Sequence, residues 1–381
     1  MKKRVILSTV EGSTRFLVLV FLTAILGFFL LLNIHPYGNN ITALFHLDQT
    51  TAETLGVPKG FIVLTVPGYD GEQYYEIARS LPHVIDSPTI AYSYQRFLLP
   101  LAAHLLAFGH ITLLPWAFLI INVGSLLLMA WLMLRREVKP LYVFALALSP
   151  AALIALHFNL AEPLSLLLLT AFLLRGSYTK KHIDRIDILL LSLLVLSREI
   201  NIVFVAVLLA YFFFKKQWRN ALLLVIPVCS FLALHGLIYA MFHEIPFLWS
   251  TGKHTLPLLA PWNVLIGARG YNVYTLSSIA LLLGFVVPAL LWVGLEIKRR
   301  GWEFLTLGSF VFLLLMLSMA PDIWGSITSI GRVITPVYPL TVLALAKRDT
   351  AGARMITVSI LLLGLGIGFG LGLIHHPYSL S

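Results

Sequence analysis

The chain has 381 residues, of which 59% are hydrophobic and 12% charged, and its mean hydropathy is +0.90. This balance excludes an ordinary soluble domain and indicates an all-α, polytopic membrane protein. In a soluble protein, a net charge of +10 would suggest nucleic acid as the partner. Here the positions of Lys and Arg follow the membrane topology, which explains most of the positive charge, and anionic lipid is its partner. The single cysteine, Cys229, excludes an internal disulfide.

Eleven apolar segments predict membrane spans, because a span needs roughly 20 apolar residues. They cover approximately residues 16–34, 112–134, 140–157, 161–175, 186–198, 200–214, 220–242, 274–297, 303–320, 331–346 and 355–374. The first follows a basic N-terminus without a small-residue cleavage site, which indicates an uncleaved span rather than a signal peptide. Four spans are short (161–175, 186–198, 200–214 and 331–346), which favours helices that end below the outer surface, around a polar cavity.

Lys and Arg are distributed unevenly over the polar connections. Twenty of the 27 lie in connections that the positive-inside rule assigns to the cytoplasm. The other seven are predicted on the outer side: Lys59, Arg79, Arg96, Arg198, Lys253, Arg269 and Arg332. Five acids share that side: Asp70, Glu72, Glu162, Glu199 and Asp322. We therefore predict a multi-pass protein of the inner (plasma) membrane with a cytoplasmic N-terminus. Charged residues at the level of the membrane are energetically costly and usually functional. We therefore predict that the functional site lies on the extracytoplasmic side.

The whole chain, 1–381, is interpreted as one integral-membrane domain with two long outer loops, 35–111 and 243–273. In the first loop, apolar spacing predicts a short helix over 71–81. The apolar segment 97–108 is predicted as a helix that lies in the outer interface or dips part-way into the membrane, because a full crossing there would put Arg135 and Arg136 outside. The second loop is rich in Trp and Tyr, which suit the interface or a sugar or lipid head.

Asp70 is the leading candidate for catalysis. It follows the Pro-Gly turn at 67–68 and precedes the predicted helix. A fixed, ionised carboxylate just after the first span is what a general base for a hydroxyl acceptor requires. The alternative is that Asp70 only caps the helix. Tyr74, on the same helix, is grouped with the predicted substrate-binding residues.

Other charged residues on the outer side each have a structural and a functional interpretation. Arg96 is either an interface anchor or a phosphate ligand. Glu162, beside Pro163, either caps a helix or is a second cavity acid. Arg198 and Glu199, confined between two short spans, form a mutual ion pair or serve the site. Arg332 starts a span that two prolines disrupt, and such breaks are tolerated where backbone lines a cavity.

Five segments together resemble the GT-C superfamily of integral-membrane glycosyltransferases: D-G-E-Q-Y-Y-E-I-A, A-Y-S-Y-Q-R-F-L-L-P, N-L-A-E-P, S-R-E-I-N and G-R-V-I-T-P-V-Y-P. The chain is most similar to the bacterial branch that forms cell-surface glycopolymers, and more distantly to PIG-V-type mannosyltransferases. The resemblance implies a sugar donor carried on polyprenyl phosphate, and it implies that Asp70 is the catalytic base. It also implies an acidic pair, which is adjacent in many members. Here Glu72 is predicted as the second catalytic acid, separated from Asp70 by one residue.

These observations predict an inverting glycosyltransferase. A lipid-linked donor enters between helices, and its phosphate meets arginines, with Arg198 and Arg332 favoured over Arg96. The acceptor is a glycan or lipid hydroxyl on the outer side. No cofactor is predicted, and a divalent metal stays open without an evident ligand set. Two alternatives remain: a transporter or flippase for a lipid-linked or anionic substrate, and a non-catalytic subunit of a surface-polymer assembly machine.

Overall fold

The computed structural model describes residues 2–65, 68–83, 85, 88–176, 182–246, 253–268 and 270–374. Pro67 of the predicted turn and Arg269 of the second outer loop lie outside this range. Within it, the regular secondary structure consists of helices and one pair of two-residue strands, joined by turns and loops. The prediction of an all-α membrane protein is confirmed at this level.

The helices follow one another with short connections. In chain order they are α1 (Lys2–Ile34), α2 (Gln49–Leu55), α3 (Asp70–Ser80), α4 (Pro88–Ala91), α5 (Leu98–Leu106), α6 (Leu114–Arg135), α7 (Pro140–Ala147), α8 (Pro150–His157), α9 (Glu162–Arg175), α10 (Arg185–Ser197), α11 (Asn201–Phe214), α12 (Trp218–Leu223), α13 (Val225–Phe242), α14 (Leu259–Leu265), α15 (Val273–Leu281), α16 (Val287–Arg300), α17 (Phe304–Leu317), α18 (Pro321–Trp324), α19 (Ile327–Val333), α20 (Val337–Arg348) and α21 (Ala351–Ile374). A π-helical segment, Leu282–Val286, joins α15 to α16. Strand β1 (Leu47–Asp48) pairs in parallel with β2 (Val63–Leu64).

Five helical segments of the described chain are long and apolar enough to cross a membrane: Gly12–Tyr37, Ile111–Arg135, Trp218–Phe242, Val273–Arg300 and Ala351–Leu373. The number rises to seven if two bent pairs count as spans. These are α7 with α8, bent by 41°, and α19 with α20, bent by 60°. The predicted eleven spans are therefore not confirmed. Helices α9, α10, α11 and α17 form where predicted, but each has only 13 or 14 residues. That corresponds to about 20 Å, which is short of a hydrocarbon core of about 30 Å.

The first predicted outer loop contains the strand pair and helices α2 to α5. The helix predicted over 71–81 is present as α3, displaced by one residue. Helix α5 has nine residues, about 14 Å of length, so it is too short to span a membrane. It packs against α3 and α6. The loop is thus a folded layer on the ends of the long helices.

Close backbone contacts seat this layer and the bent helices. A Cβ on Gly71 would lie 2.1 Å from the carbonyl oxygen of Phe158, so only glycine lets the start of α3 meet the end of α8. A Cβ on Gly364 would lie 1.8 Å from the carbonyl oxygen of Leu148, where α21 crosses the break between α7 and α8. Small residues commonly permit such approaches between membrane helices. Helix α8 also packs against α9 and α19, and α9 packs against α10, so the starts of α3 and α9 and the ends of α10 and α19 lie in one region.

Candidate functional site

Six charged side chains from this region form one chain of ion pairs in which acids and arginines alternate. In order along the network they are Glu199, Arg96, Asp70, Arg332, Glu162 and Arg198. They come from distant parts of the sequence, and they are the charged site residues predicted there, apart from Glu72. We call this set the alternating network.

Arg96 occupies the point where three predicted residues meet. Its guanidinium forms two parallel hydrogen bonds to Glu199, from Nε to Oε2 at 2.9 Å and from Nη2 to Oε1 at 2.8 Å. Nη1 donates to Asp70 Oδ2 at 2.9 Å and to the Tyr74 hydroxyl at 2.8 Å, and Nη2 also donates to the Tyr92 hydroxyl at 3.1 Å. All five N–H donors of the guanidinium are therefore used. Arg96 is not the exposed interface anchor considered from the sequence, because its side chain is buried.

Asp70 links the two halves of the network. Its Oδ2 accepts from Arg96 and, also at 2.9 Å, from Arg332 Nη2. Its Oδ1 accepts no hydrogen bond from the described residues, and the side chain is 29% exposed. The N-cap position of α3 is Tyr69 rather than Asp70, and no side chain caps the helix. The capping interpretation of Asp70 is therefore wrong. The carboxylate instead holds two arginines through Oδ2, and its Oδ1 has no partner among the described residues.

Glu162 and Arg198 form the most buried pair, with each side chain 1% exposed. Glu162 Oε1 accepts from Arg198 Nη1 at 2.7 Å and from Arg332 Nη1 at 3.0 Å. Arg198 Nη1 also donates to the Arg332 carbonyl at 2.9 Å and to Thr335 Oγ1 at 2.7 Å. Arg198 and Glu199 are therefore not ion-pair partners. Arg198 pairs with Glu162, whereas Glu199 pairs with Arg96.

The alternating network balances its own charge, with three carboxylates and three guanidinium groups. Burial disfavours the charged form of Asp70, but the nearby Arg332 and Arg96 outweigh that effect and hold its pKa below the ordinary value. Burial is likewise opposed at Glu199, where Arg96 and Arg198 lower the pKa. Both carboxylates are thus ionised at neutral pH, and Asp70 in this arrangement is a weak base.

Two tyrosines that the sequence did not single out complete the network. The guanidinium of Arg332 lies over the Tyr69 ring, 5.1 Å from its centroid, and donates to the Tyr69 hydroxyl at 3.1 Å. Tyr69 stacks in turn on Phe158 with ring centroids 4.0 Å apart. Arg96 lies over the Tyr92 ring at 5.1 Å. The available signal was their position, since Tyr69 precedes Asp70 and Tyr92 stands one helical turn before Arg96.

Glu72 is separate from the alternating network. Residues two apart on a helix do not face each other, and Glu72 instead accepts a hydrogen bond from the backbone N–H of Asp48 at 3.1 Å. Its carboxylate fills the space beside Gly68. The expected catalytic partnership of Asp70 and Glu72 has no support in this geometry. Burial, together with the Asp48 and Glu76 carboxylates, outweighs the N–H bond and raises the pKa of Glu72 to about 7.

The raised pKa of Glu72 has a measurable consequence for stability. Between about pH 4.5 and pH 7 the unfolded chain loses this proton while the folded chain keeps it, so the contribution of Glu72 to stability falls as pH rises. We expect Glu72→Gln, which keeps an acceptor for the Asp48 N–H, to be more stable than the wild type at pH 8, by up to roughly 3 kcal/mol. Near pH 4.5 the difference should vanish. Thermal unfolding at both pH values measures it, and equal differences at both would contradict the assignment.

A cavity of about 180 Å³ opens at the Arg96 end of the network. Arg96, Arg198 and Glu199 line one part, and Lys253 and His254 line another. The remaining walls are Tyr92, Ile200, Ile202, Val203, Leu315, Met319, Ile323 and Val333. Asp70 does not line this cavity. The segment that carries Lys253 is anchored by backbone bonds to the end of α17, and Lys253 itself pairs with Asp322 at 2.8 Å. The cavity therefore combines cationic groups with an apolar wall.

No group of three or more His, Cys, Asp or Glu side chains is arranged to hold a metal ion in the described part of the chain. The carboxylates of the alternating network are engaged by arginines. The described residues thus provide no ligand set for the divalent metal considered from the sequence.

Comparison with known proteins finds no matching family model, no similar curated protein and no similar solved structure.

Proposed function

We propose that the chain is a glycosyltransferase that moves a sugar from a polyprenyl-phosphate carrier to an acceptor hydroxyl, as part of cell-surface glycan or glycolipid assembly. One observation carries the proposal: Arg96 and Arg332 hold Asp70 Oδ2, while Asp70 Oδ1 accepts no hydrogen bond from the described residues. Sugar transfer from a phosphate carrier needs a base for the acceptor and cations for the leaving phosphate. Asp70 supplies the base, and the guanidinium groups of Arg96 and Arg332, which contact Asp70, supply the cations.

The proposed reaction uses these groups in named roles. Asp70 Oδ1 takes the proton of the acceptor hydroxyl, and the acceptor oxygen forms a bond to the anomeric carbon. The bond between that carbon and the carrier phosphate breaks, and the phosphate leaves with the bonding electrons. Direct displacement of this kind inverts the anomeric configuration. Arginines that meet the charge developing on the phosphate stabilise the transition state.

The charge balance of the alternating network imposes an order on this reaction. A donor phosphate adds negative charge to a neutral set, so it binds by displacing a carboxylate from an arginine. If it displaces Asp70 from Arg96, the pKa of Asp70 rises towards the range in which a carboxylate is an effective base. Donor binding thus activates the base. Arg96 becomes the leading phosphate ligand, because it lines the cavity and contacts Asp70. Arg198 also lines the cavity, but it does not contact Asp70, and Glu162 and Thr335 hold its guanidinium, so we assign it a structural role.

The finer topology is part of the proposal. Eleven crossings, with α9, α10, α11 and α17 as short spans, keep the Lys- and Arg-rich connections on the cytoplasmic side and the alternating network on the extracytoplasmic side of the plasma membrane. Short spans are tolerable where helices end against a protein cavity rather than lipid. The first outer loop then forms a lid over the site, and the lipid tail of the donor lies along the apolar cavity wall.

The second candidate is a transporter or flippase for a lipid-linked or anionic substrate. The observation that favours it is the 60° bend between α19 and α20, just after Arg332. Transporters place charged residues at such interrupted helices. The enzyme and a transporter of a lipid-linked substrate both predict binding of a lipid phosphate, but only the enzyme breaks the bond between sugar and phosphate.

Binding of polyprenyl phosphate to the purified protein tests the shared part of the proposal. Arg96→Lys keeps the charge but loses the planar fork, so we expect affinity to fall at least tenfold. Arg79→Lys is the matched control, because Arg79 lies in the same layer and donates to the Gly56 carbonyl rather than to the network. An unchanged affinity in Arg96→Lys, or an equal loss in both variants, would count against a phosphate site at Arg96.

A further inference from the structure

A second basic site lies at the other end of the helices, away from the alternating network. A cavity of about 540 Å³ opens where α6 and α9 end and α10 begins. Its lining residues are Leu132, Arg135, Arg136, Ala171, Leu174, Arg175, Ile186 and Leu190. Helix α9 packs against both α6 and α10. We call this cavity the basic notch.

The charges of the basic notch are not balanced within it. Arg175 is held by carboxylates, with Nε 2.7 Å from Asp187 and Nη2 2.5 Å from Asp184. Arg135 and Arg136 form no ion pair with any described residue, and both are exposed. The notch therefore presents two exposed guanidinium groups that pair with no described carboxylate, beside Arg175, whose charge Asp184 and Asp187 offset. An anion is the complementary ligand.

The apolar part of the notch indicates what kind of anion fits. Leu132, Leu174, Ile186 and Leu190 continue the lining from the arginines along the helices, and the Ile186 side chain is exposed. Arg135 lies over the ring of Trp131, 4.8 Å from its centroid. Tryptophan is typical of the membrane–water interface, so this pair marks the headgroup level. A soluble anion uses only the arginines, whereas a phospholipid uses the arginines and the apolar wall together.

We propose that the basic notch binds an anionic phospholipid of the adjacent leaflet, with its phosphate on Arg135 and Arg136 and an acyl chain along Leu132 and Leu190. Basic cavities between membrane helices on the positively charged side bind anionic lipid headgroups by the same chemistry. Arg175 lies at the rim, where Asp187 and Asp184 hold it in place and offset its charge, so the phosphate contacts are assigned to Arg135 and Arg136 alone. The site is independent of the proposed transfer reaction.

Native mass spectrometry of the detergent-solubilised protein, titrated with phosphatidylglycerol or phosphatidylcholine, tests this site. We expect the wild type to prefer phosphatidylglycerol. The double variant Arg135→Gln/Arg136→Gln should lower that affinity about 30-fold, which is roughly what two arginines near an anionic surface contribute. The control Lys298→Gln/Arg299→Gln removes the same charge from exposed residues outside the notch and should change it less than about threefold.

A second variant tests the contribution of the apolar wall at constant charge. Leu190→Trp fills part of the space for the acyl chain and keeps every arginine. It should therefore weaken phosphatidylglycerol binding while the net charge of the protein stays the same. Equal losses in the notch and control variants would show unspecific attraction and overturn the proposal. So would equal affinity for the two lipids, or full competition by glycerol 3-phosphate, which carries the phosphate without an acyl chain.

Discussion

Replacing Asp70 by asparagine should lower sugar transfer about 100-fold or more, because the variant keeps the size of the side chain but cannot accept the acceptor's proton. The structure also predicts a loss of stability in this variant. Asp70 accepts charge-assisted hydrogen bonds from two buried arginines. We expect the free energy of unfolding to fall by about 2 kcal/mol, the usual scale for hydrogen bonds to charged groups. Transfer rate and thermal unfolding are measured on the same preparation.

Asp322→Asn is the matched control for Asp70→Asn. Asp322 is also predicted on the outer side, but it pairs with Lys253 in an exposed position, so we expect transfer to change less than about threefold and stability by no more than about 1 kcal/mol. A folded Asp70→Asn protein that retains full activity would remove Asp70 as the base. In that outcome Asp70 only joins Arg96 to Arg332.

Breaking the pair of Glu162 and Arg198 should produce the largest loss of stability. Either Glu162→Gln or Arg198→Gln leaves an uncompensated charge among side chains that are 1% exposed. We expect each variant to lower the free energy of unfolding by about 3–5 kcal/mol. The double variant should lose less than the sum of the two by at least ~1 kcal/mol, since the residues interact directly. Chemical denaturation in a fixed detergent measures all three.

The exposed pair of Lys253 and Asp322 gives the matched comparison, because the same kind of double-mutant cycle there should yield about 0–1 kcal/mol. Polyprenyl phosphate binding by the Arg198→Gln variant separates structure from recognition. The structural role predicts that the folded variant keeps its affinity within about threefold. A loss as large as that of Arg96→Lys would restore Arg198 as a phosphate ligand.

The apolar segments of the sequence were sufficient to locate the long helices. The predicted segments 112–134 and 355–374 correspond to α6 and α21, because long apolar runs leave few alternatives. The number of membrane crossings could not be predicted from the apolar segments. Composition cannot distinguish a short span from a helix that ends inside the protein, and the 13-residue α10 illustrates this.

The members of the alternating network were predictable as individual residues, because charge in an apolar chain is rare enough to be informative. Their partners were not. Arg198 and Glu199 are neighbours in sequence, yet Arg198 pairs with Glu162 and Glu199 pairs with Arg96. These pairings depend on how α5, α9 and α10 pack, which no local pattern encodes. Glu72 failed for a different reason, since its spacing from Asp70 places the two side chains on different faces of α3.

Release of polyprenyl phosphate from a polyprenyl-phosphate-linked sugar, in the presence of a cell-envelope acceptor extract, tests the central claim most directly. The released carrier is the same whichever sugar is transferred, and its release separates cleavage from transport. The account predicts release by the purified wild-type protein that depends on the acceptor extract and falls about 100-fold in Asp70→Asn. Binding or movement of the intact donor across the membrane, with no polyprenyl phosphate released, would contradict it and favour a transporter.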